Sequence, residues 1–315
     1  MITWTEDQLA ECRCNLCGAS NDVHIFQRPD GLRVVQCEDC GLVYLNPRPK
    51  DELIPELYDK SFFTSRSSIG IGNYFSDKTR IAKISDAKRS LLALKEAGIE
   101  SFRKMLEVGC GTGEFCHVVH NRGTNVTGID IAESVIAESR SRYEKIPFHV
   151  GTIKDLDPET KYDAVFAREV IEHLTDPDAF FGKTCALLEK NGFLCITTPS
   201  FECAERVGFD NWHGFFCSFE HLYFFSSAAI SKYASKHGMY VVCTLYGGGN
   251  GQKGNQSMTR EVIRRMLTWT YLLWPVRNLL WPVRKIRRMM RPMLSQNYQA
   301  EEIRHNLLMV LRKCQ

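Results

Sequence analysis

The chain has 315 residues, 44% of them apolar and 24% charged, which is the balance of an ordinary globular protein. That composition excludes a mainly disordered, collagenous or acidic-tail protein, and the length suits one large domain with a small appendage. The net charge is +3, yet Val262 to Ala300 holds eight basic residues and no acid, leaving −5 on the remainder. One strongly basic segment therefore sits on a mildly acidic protein.

Thirteen cysteines are present, five of them in the first forty residues. Met1–Ala10 carries Glu6 and Asp7 and has no apolar core, so it does not read as a signal peptide. No apolar run approaches the length of a membrane span. The expectation is a cytoplasmic protein with reduced thiols, some of them metal ligands.

Cys14-Asn-Leu-Cys17-Gly18 is answered by Cys37-Glu-Asp-Cys40-Gly41. Two such turns facing each other present four thiolates in a tetrahedron, the closed structural site that zinc prefers. The glycine after each pair permits the positive φ of the turn. Between the pairs, His24–Phe26 and Leu32–Val35 read as short strands around the turn Pro29-Asp30-Gly31, which makes a zinc ribbon of residues 1–48. Cys12 and His24 are substitute ligands to weigh. Few basic residues (Arg13, Arg28, Arg33) argue against nucleic acid binding here.

Asn46-Pro-Arg-Pro-Lys50 ends the strand Leu42–Leu45 and opens a linker. Within 49–100, apolar residues recur at helical spacing from Asp77 to Ala97 (Ile81, Ile84, Ala87, Leu91, Leu92, Leu94), and Gly98 ends that helix.

Residues 101–246 alternate strand and helix, which predicts an α/β fold with a mostly parallel sheet. A short apolar strand from Lys104 ends in Glu107, and a glycine loop with Gly109, Gly111 and Gly113 follows. The spacing is GxGxG, not the GxGxxG of dinucleotide sites, where a pyrophosphate rests on the helix N-terminus. An acid beside the loop suits a ligand with an ammonium and no phosphate. The next strand, Asn125–Asp130, ends in an acid placed to accept from ribose hydroxyls. Ile131 follows it, positioned to cover an adenine face. Strands are also expected at Pro147–Val150, Tyr162–Ala167, Gly192–Thr198 and Tyr240–Leu245.

LEVGCGTG (106–113), VTGID (126–130), YDAVFAREVIEHLTDP (162–177) and GFLCITTPS (192–200) in this order resemble the class I S-adenosylmethionine-dependent methyltransferases. The resemblance implies a seven-stranded, mostly parallel Rossmann-like sheet closed by Asn306–Lys313, within a final piece 301–315. It implies S-adenosyl-L-methionine as cofactor. Glu107 and Gly109, Gly111 and Gly113 would hold its methionine part, Asp130 and Ile131 its nucleoside, Thr152 and Ile153 its adenine edge, and Ala167 and Arg168 its methionine side. Thr152 stands where many members carry an acid, so either Thr152 and the backbone or Asp155 would serve the adenine. The ribbon ending CGLVYLNPRP (40–49) and the pair Glu220-His221 are similar to bacterial sugar, polysaccharide and natural-product methyltransferases, which implies a small-molecule or glycan acceptor and O- or C-methylation.

An activated methyl donor leaves the enzyme two tasks, positioning the acceptor and removing a proton. His221, with Glu220 orienting it, and His173 are the candidate bases. Bracing of the loop at Thr175–Pro177 is the other reading of His173. No paired metal-binding carboxylates are evident, so no catalytic metal is expected.

Residues 247–300 form a basic, aromatic insertion. Leu272-Leu-Trp-Pro-Val-Arg277 recurs as Leu279-Leu-Trp-Pro-Val-Arg284, and the prolines break it into short helices. Tryptophan, leucine and arginine without acids over 262–294 suit the anionic inner face of a membrane, a cap over the acceptor pocket, or RNA. The competing functions are thus an RNA-modifying methyltransferase using ribbon and insertion, or a non-catalytic zinc-scaffolded interaction protein. The sequence does not fix the oligomeric state.

Overall fold

A computed structural model describes residues 4–58, 63, 74–215, 220–247 and 306–314. Residues 1–245 and 307–315 form one unit and Tyr246–Asn306 a second. The basic segment 262–294 lies outside the described residues.

The first unit is built on the strands β6 (Lys104–Val108), β7 (Asn125–Asp130), β8 (Phe148–Val150), β9 (Tyr162–Arg168), β10 (Leu188–Pro199), β12 (Met239–Gly247) and β13 (Asn306–Lys313). They form a seven-stranded sheet in the order β12-β13-β10-β9-β6-β7-β8. The pairs β6–β7, β6–β9, β7–β8 and β9–β10 are parallel. Leu106, Val108, Val165, Ala167, Leu194 and Ile196 pack on one face. Met105, Ala164, Phe166, Phe193 and Cys195 pack on the other. This two-residue alternation, apolar on both faces, is what a sheet covered on both sides requires.

The face of Met105 and Phe166 is covered by α1 (Asp77–Glu96) and α2 (Glu114–His120), the latter opening directly after the glycine loop. Ser76 caps α1 by accepting from the Thr79 amide at 3.2 Å, and Gly98 follows its end at φ +82°. Ala87, Leu91 and Leu94 are buried, whereas Ile81 and Leu92, expected on the same apolar face, are exposed. α3 (Glu133–Arg142) lies between β7 and β8, α4 (Pro177–Leu187) between β9 and β10, and α5 (Phe201–Val207) and α6 (Ser227–Lys236) after β10. β9, β10 and β12 run one to five residues longer than the sequence spacing gives, because pairing with a neighbour extends them beyond the apolar run, whereas β7 and β13 match it and β8 starts one residue later, after Pro147.

At the N-terminus, β2 (Asp22–Gln27), β3 (Arg33–Cys37) and β4 (Val43–Leu45) form the expected hairpins, and a fourth strand, β11 (Tyr223–Phe224), joins them from the far end of the chain. Residues 46–49 are not a plain linker: β5 (Arg48–Pro49) pairs antiparallel with β1 (Leu9–Ala10). The ribbon is not a separate body either. Cys14, Leu16, Val34, Val35 and Tyr44 share one apolar cluster with Val165, Leu194, Phe181 and Tyr233. Polar contacts reinforce this: Asn15 bonds Asp176 and the Asp178 amide at the start of α4. Lys232 and Lys236 of α6 donate to the carbonyls of Cys40 and Leu16. A module too small for a core of its own completes one by sharing.

Candidate active site

The carboxyl ends of β6, β7, β8, β9 and β10 lie along one edge of the sheet, where open α/β sheets hold their ligands. Glu107 precedes the end of β6. Because Leu106 and Val108 point into one apolar layer, Glu107 points the other way, toward α2, and is almost fully buried. Cys116 of α2 donates to its Oε2 at 3.0 Å, and Arg168 Nη1 stands 3.9 Å from its Oε1. Burial outweighs the arginine and lifts this carboxyl to about 7.

Gly109, Gly111 and Gly113 all have positive φ (+69°, +53° and +81°). A Cβ at Gly109 would come within 2.4 Å of Val170, and one at Gly111 within 2.3 Å of the Tyr74 hydroxyl. The glycines are thus required by the protein's own neighbours, and not only by an approaching ligand as the sequence suggests. Asp130 holds the loop in place: its carboxylate accepts from the Gly111 amide at 2.9 Å and from the Ala132 amide at 3.0 Å. Each carboxylate oxygen keeps a lone pair for a further donor. Ile131 beside it is 43% exposed, an apolar surface left open next to that acid.

Of the two residues expected at the adenine edge, Thr152 is exposed and Ile153 is buried in the core. Asp155 does not reach inward. It folds back to accept from the Thr152 amide and hydroxyl at 2.7 and 2.9 Å. Ala167 is buried in the sheet. Arg168 spreads over the Phe115 ring, 4.5 Å from its centroid, and pairs with Asp86 of α1. Glu169 follows in the left-handed region at φ 54°, unusual for a residue with a side chain. It keeps solvent access, yet the protein packed around it lifts its carboxyl to about 7.

The two candidate bases meet. His173 lies in the turn Ile171–His173 after β9, and His221 lies just before β11. Their rings are 4.7 Å apart and nearly perpendicular. His173 Nδ1 is hydrogen-bonded to the Tyr58 hydroxyl at 2.8 Å, and its Nε2 stands 4.0 Å from Glu172. Glu172 is itself buried, and its other oxygen accepts from Thr198 at the end of β10. His221 Nδ1, Glu172 Oε1 and Glu220 Oε2 are buried with no hydrogen-bond partner among the described residues. Burial lowers His173 to about 4 and drives His221 well below the ordinary histidine value, so both rings are neutral at pH 7. Burial raises the carboxyls of Glu172 and Glu220. One oxygen of Glu172 and one ring nitrogen each of His173 and His221 lie within 4.8 Å of one another, a spacing that suits a shared proton or a divalent cation.

This edge includes residues that the motifs do not point to. Tyr58 and Tyr74 come from the lead-in segment, whose aromatics carry no helical or strand period to mark them. Lys83 of α1 lies 3.1 Å from the centre of the Tyr74 ring and donates to Thr112 of the glycine loop. Its signal was a charge on an otherwise ordinary helix.

The four cysteines Cys14, Cys17, Cys37 and Cys40 bring their sulfurs within 4.8 Å of one another, with Cys14–Cys40 at 3.3 Å and Cys17–Cys37 at 3.5 Å. A zinc–sulfur bond of about 2.3 Å gives sulfur separations of about 3.8 Å in a tetrahedron, so the set fits zinc. Cys12 instead points its thiol at Leu45 and Asn46, and His24 is exposed on β2, so neither belongs to this set.

The sequence profile of the methyltransferase domain family matches residues 77–244, more than half of the chain. The chain belongs to this methyltransferase family. It is an enzyme of the class I S-adenosylmethionine-dependent type. Ubiquinone biosynthesis O-methyltransferases of Bradyrhizobium sp. (strain ORS 278) and Rhodopseudomonas palustris (strain HaA2) are each 37% identical to this methyltransferase over 99 residues, 30% of this chain and 39% of theirs. The chain thus matches well under half the length of these relatives. Magnesium protoporphyrin IX methyltransferase from Synechocystis PCC 6803, solved with bound SAH, shares the fold with a TM-score of 0.50 at 13% identity, over 84% of this chain and 100% of that one. No helix among the described residues is long and apolar enough to cross a membrane.

Proposed function

We propose that this methyltransferase transfers a methyl group to a hydroxyl oxygen of a small molecule, with His221 as the base. The observation that carries the reading is the pair of buried, neutral histidine rings at the carboxyl edge of the sheet, with His221 Nδ1 unpartnered among the described residues. A neutral imidazole with a free nitrogen is ready to take a proton.

The residues of the glycine loop fit S-adenosylmethionine. Gly109, Gly111 and Gly113 give a loop without side chains, Glu107 offers a carboxylate to an ammonium, and Asp130 offers its remaining lone pairs to ribose hydroxyls. Exposed Ile131 is an apolar platform for the base. When bound, the cofactor supplies an electrophilic methyl group. The chain's own task is to seat the acceptor hydroxyl beside His221 and accept its proton. Glu172 stands 4.0 Å from His173 and, once ionised, would offset the positive charge that the paired rings then carry. Zinc at Cys14, Cys17, Cys37 and Cys40 has a structural role, since four thiolates leave no open position.

The names of the ubiquinone biosynthesis relatives favour oxygen as the methylated atom. The Glu220-His221 pair and the ribbon favour a sugar, lipid-linked saccharide or natural product as the acceptor class. Incubation with methyl-labelled cofactor and separate panels of catechols, nucleotide-activated sugars and RNA tests the reading. Label in a small-molecule hydroxyl is expected. Label entering RNA alone would replace the reading with an RNA-modifying one.

A further inference from the structure

The tip of the ribbon hairpin is not at the surface. Arg28 and Asp30 flank the turn between β2 and β3, where loops ordinarily meet water. Here Arg28 is 1% and Asp30 7% exposed. Charged residues are seldom buried so fully without a specific partner. The two form an ion pair in which Arg28 Nε donates to Asp30 Oδ1 at 3.1 Å and Nη2 bonds Oδ2. The Leu32 amide also donates to Asp30 at 3.3 Å. The remaining arm of the guanidinium, Nη1, donates to the backbone carbonyl of His221 at 2.9 Å.

Other ribbon contacts converge on the same segment. The Leu45 amide donates to the Leu222 carbonyl at 2.9 Å. β11 then pairs with β4 through Tyr223–Tyr44 and Phe224–Val43. Phe26 of β2 stacks on Phe215 at 4.7 Å. On its other side, among the described residues, the segment is bonded to the core from the Leu222 amide to the Glu172 carbonyl, from the Phe201 amide to the Phe225 carbonyl and from the Tyr223 hydroxyl to the Thr175 carbonyl. The ribbon therefore supplies one side of the scaffold on which His221 rests.

We propose that Arg28 is a positioning residue for His221, and that the ribbon's role is to aim this histidine. The guanidinium fork serves because it spans a carboxylate and a carbonyl at once, which a lysine ammonium does less well. Without the Nη1 bond, the His221 carbonyl is left unsatisfied and the segment shifts toward solvent. The proposal rests on the reading of His221 as base only for its effect on turnover.

The test is the rate at which diethyl pyrocarbonate modifies individual histidines, followed by peptide mass spectrometry on the full chain purified without chelator. Removing Arg28 alone strands the Asp30 charge and endangers folding. The double variant Arg28→Met/Asp30→Leu removes both charges, an exchange that buried ion pairs commonly tolerate. In that variant His221 should be modified at least tenfold faster than in the wild type. His24 on the ribbon and His149 on the core, both exposed, should react at unchanged rates. Affinity for S-adenosylhomocysteine should stay within twofold, and turnover on any accepted hydroxyl should fall at constant KM for the cofactor. The second variant, Arg28→Lys, keeps the charge pair and should give a smaller rise at His221. An unchanged His221 rate in both variants overturns the proposal. So does an equal rise at His24 and His149, which marks general loosening. These readouts stand whether or not His221 proves to be the base.

Discussion

Tyr58 and His221 hold the two sides of His173: the Tyr58 hydroxyl bonds its Nδ1 at 2.8 Å, and the His221 ring meets it edge to face at 4.7 Å. Tyr58 comes from the lead-in segment, His173 from the turn after β9, and His221 from just before the strand that joins the ribbon. Three distant pieces of chain thus meet in one cluster. His221→Ala should lower turnover by about a hundredfold or more and leave S-adenosylhomocysteine affinity nearly unchanged. Tyr58→Phe should cost less, since it frees His173 Nδ1 without removing the base. If His173→Ala is dead and His221→Ala is active, the roles are reversed.

The pH dependence should come from Glu107 and not from the histidines. Its carboxyl sits at about 7, and a cofactor ammonium requires the ionised form. Cofactor affinity should be full above that value and weaken as pH falls through 7, by at most about tenfold per unit, with proton release on binding. Calorimetry in two buffers of different ionisation enthalpy measures both. For the unliganded protein the sign is opposite. The fold binds this proton more tightly than the unfolded chain, so the group favours the native state at acid pH and ceases to as pH rises from about 4.5 to 7. His173, lowered to about 4, stays neutral at pH 6. Turnover at saturating cofactor should therefore persist there, and a kcat limb near 6.5 would contradict this assignment.

Gly109→Ala and Asp130→Ala probe the cofactor loop in different ways. A methyl at Gly109 meets Val170 at 2.4 Å in a backbone conformation that suits glycine, so binding should be lost together with local order. Asp130→Ala removes two anchors of the loop and the ribose acceptor, and should weaken binding by about 1–3 kcal/mol. Tight binding of NAD and none of S-adenosylmethionine, in either case, would end the assignment.

Zinc should copurify at one ion per chain. Because the ribbon and the sheet share one apolar cluster, Cys37→Ser should lower the melting temperature of the whole described unit in a single transition. The ribbon should not melt apart from the core. Metal analysis and calorimetry on the same sample check both statements.

The segment 262–294 should bind anionic vesicles if it is a surface anchor, at about 1 kcal/mol for each basic residue near the bilayer. Sedimentation should fall at high salt and vanish on deletion of the segment. Wild-type protein left in the supernatant at low salt would assign the segment to the acceptor pocket instead.

The sequence by itself determined the α/β core, the cysteine set and the glycine loop after Glu107, because each is local. Glu107 to Gly113 is one strand and one turn, and two Cys-x-x-Cys turns have little choice of ligand. It also read His173 and His221 as candidate bases, from residue type and neighbours, and the fold brings their rings together. What only the tertiary structure decided is which distant groups meet. No period or spacing tells that Tyr58 bonds His173, that Val170 and Tyr74 demand the glycines, or that Asp155 turns back on Thr152. Arg28 in particular looked like one of a few scattered charges on a small ribbon. Its meaning depends on a residue 193 positions further along the chain returning its carbonyl to within hydrogen-bond reach. Burial by packing, and not local propensity, makes that contact and moves the pKa values of the whole cluster.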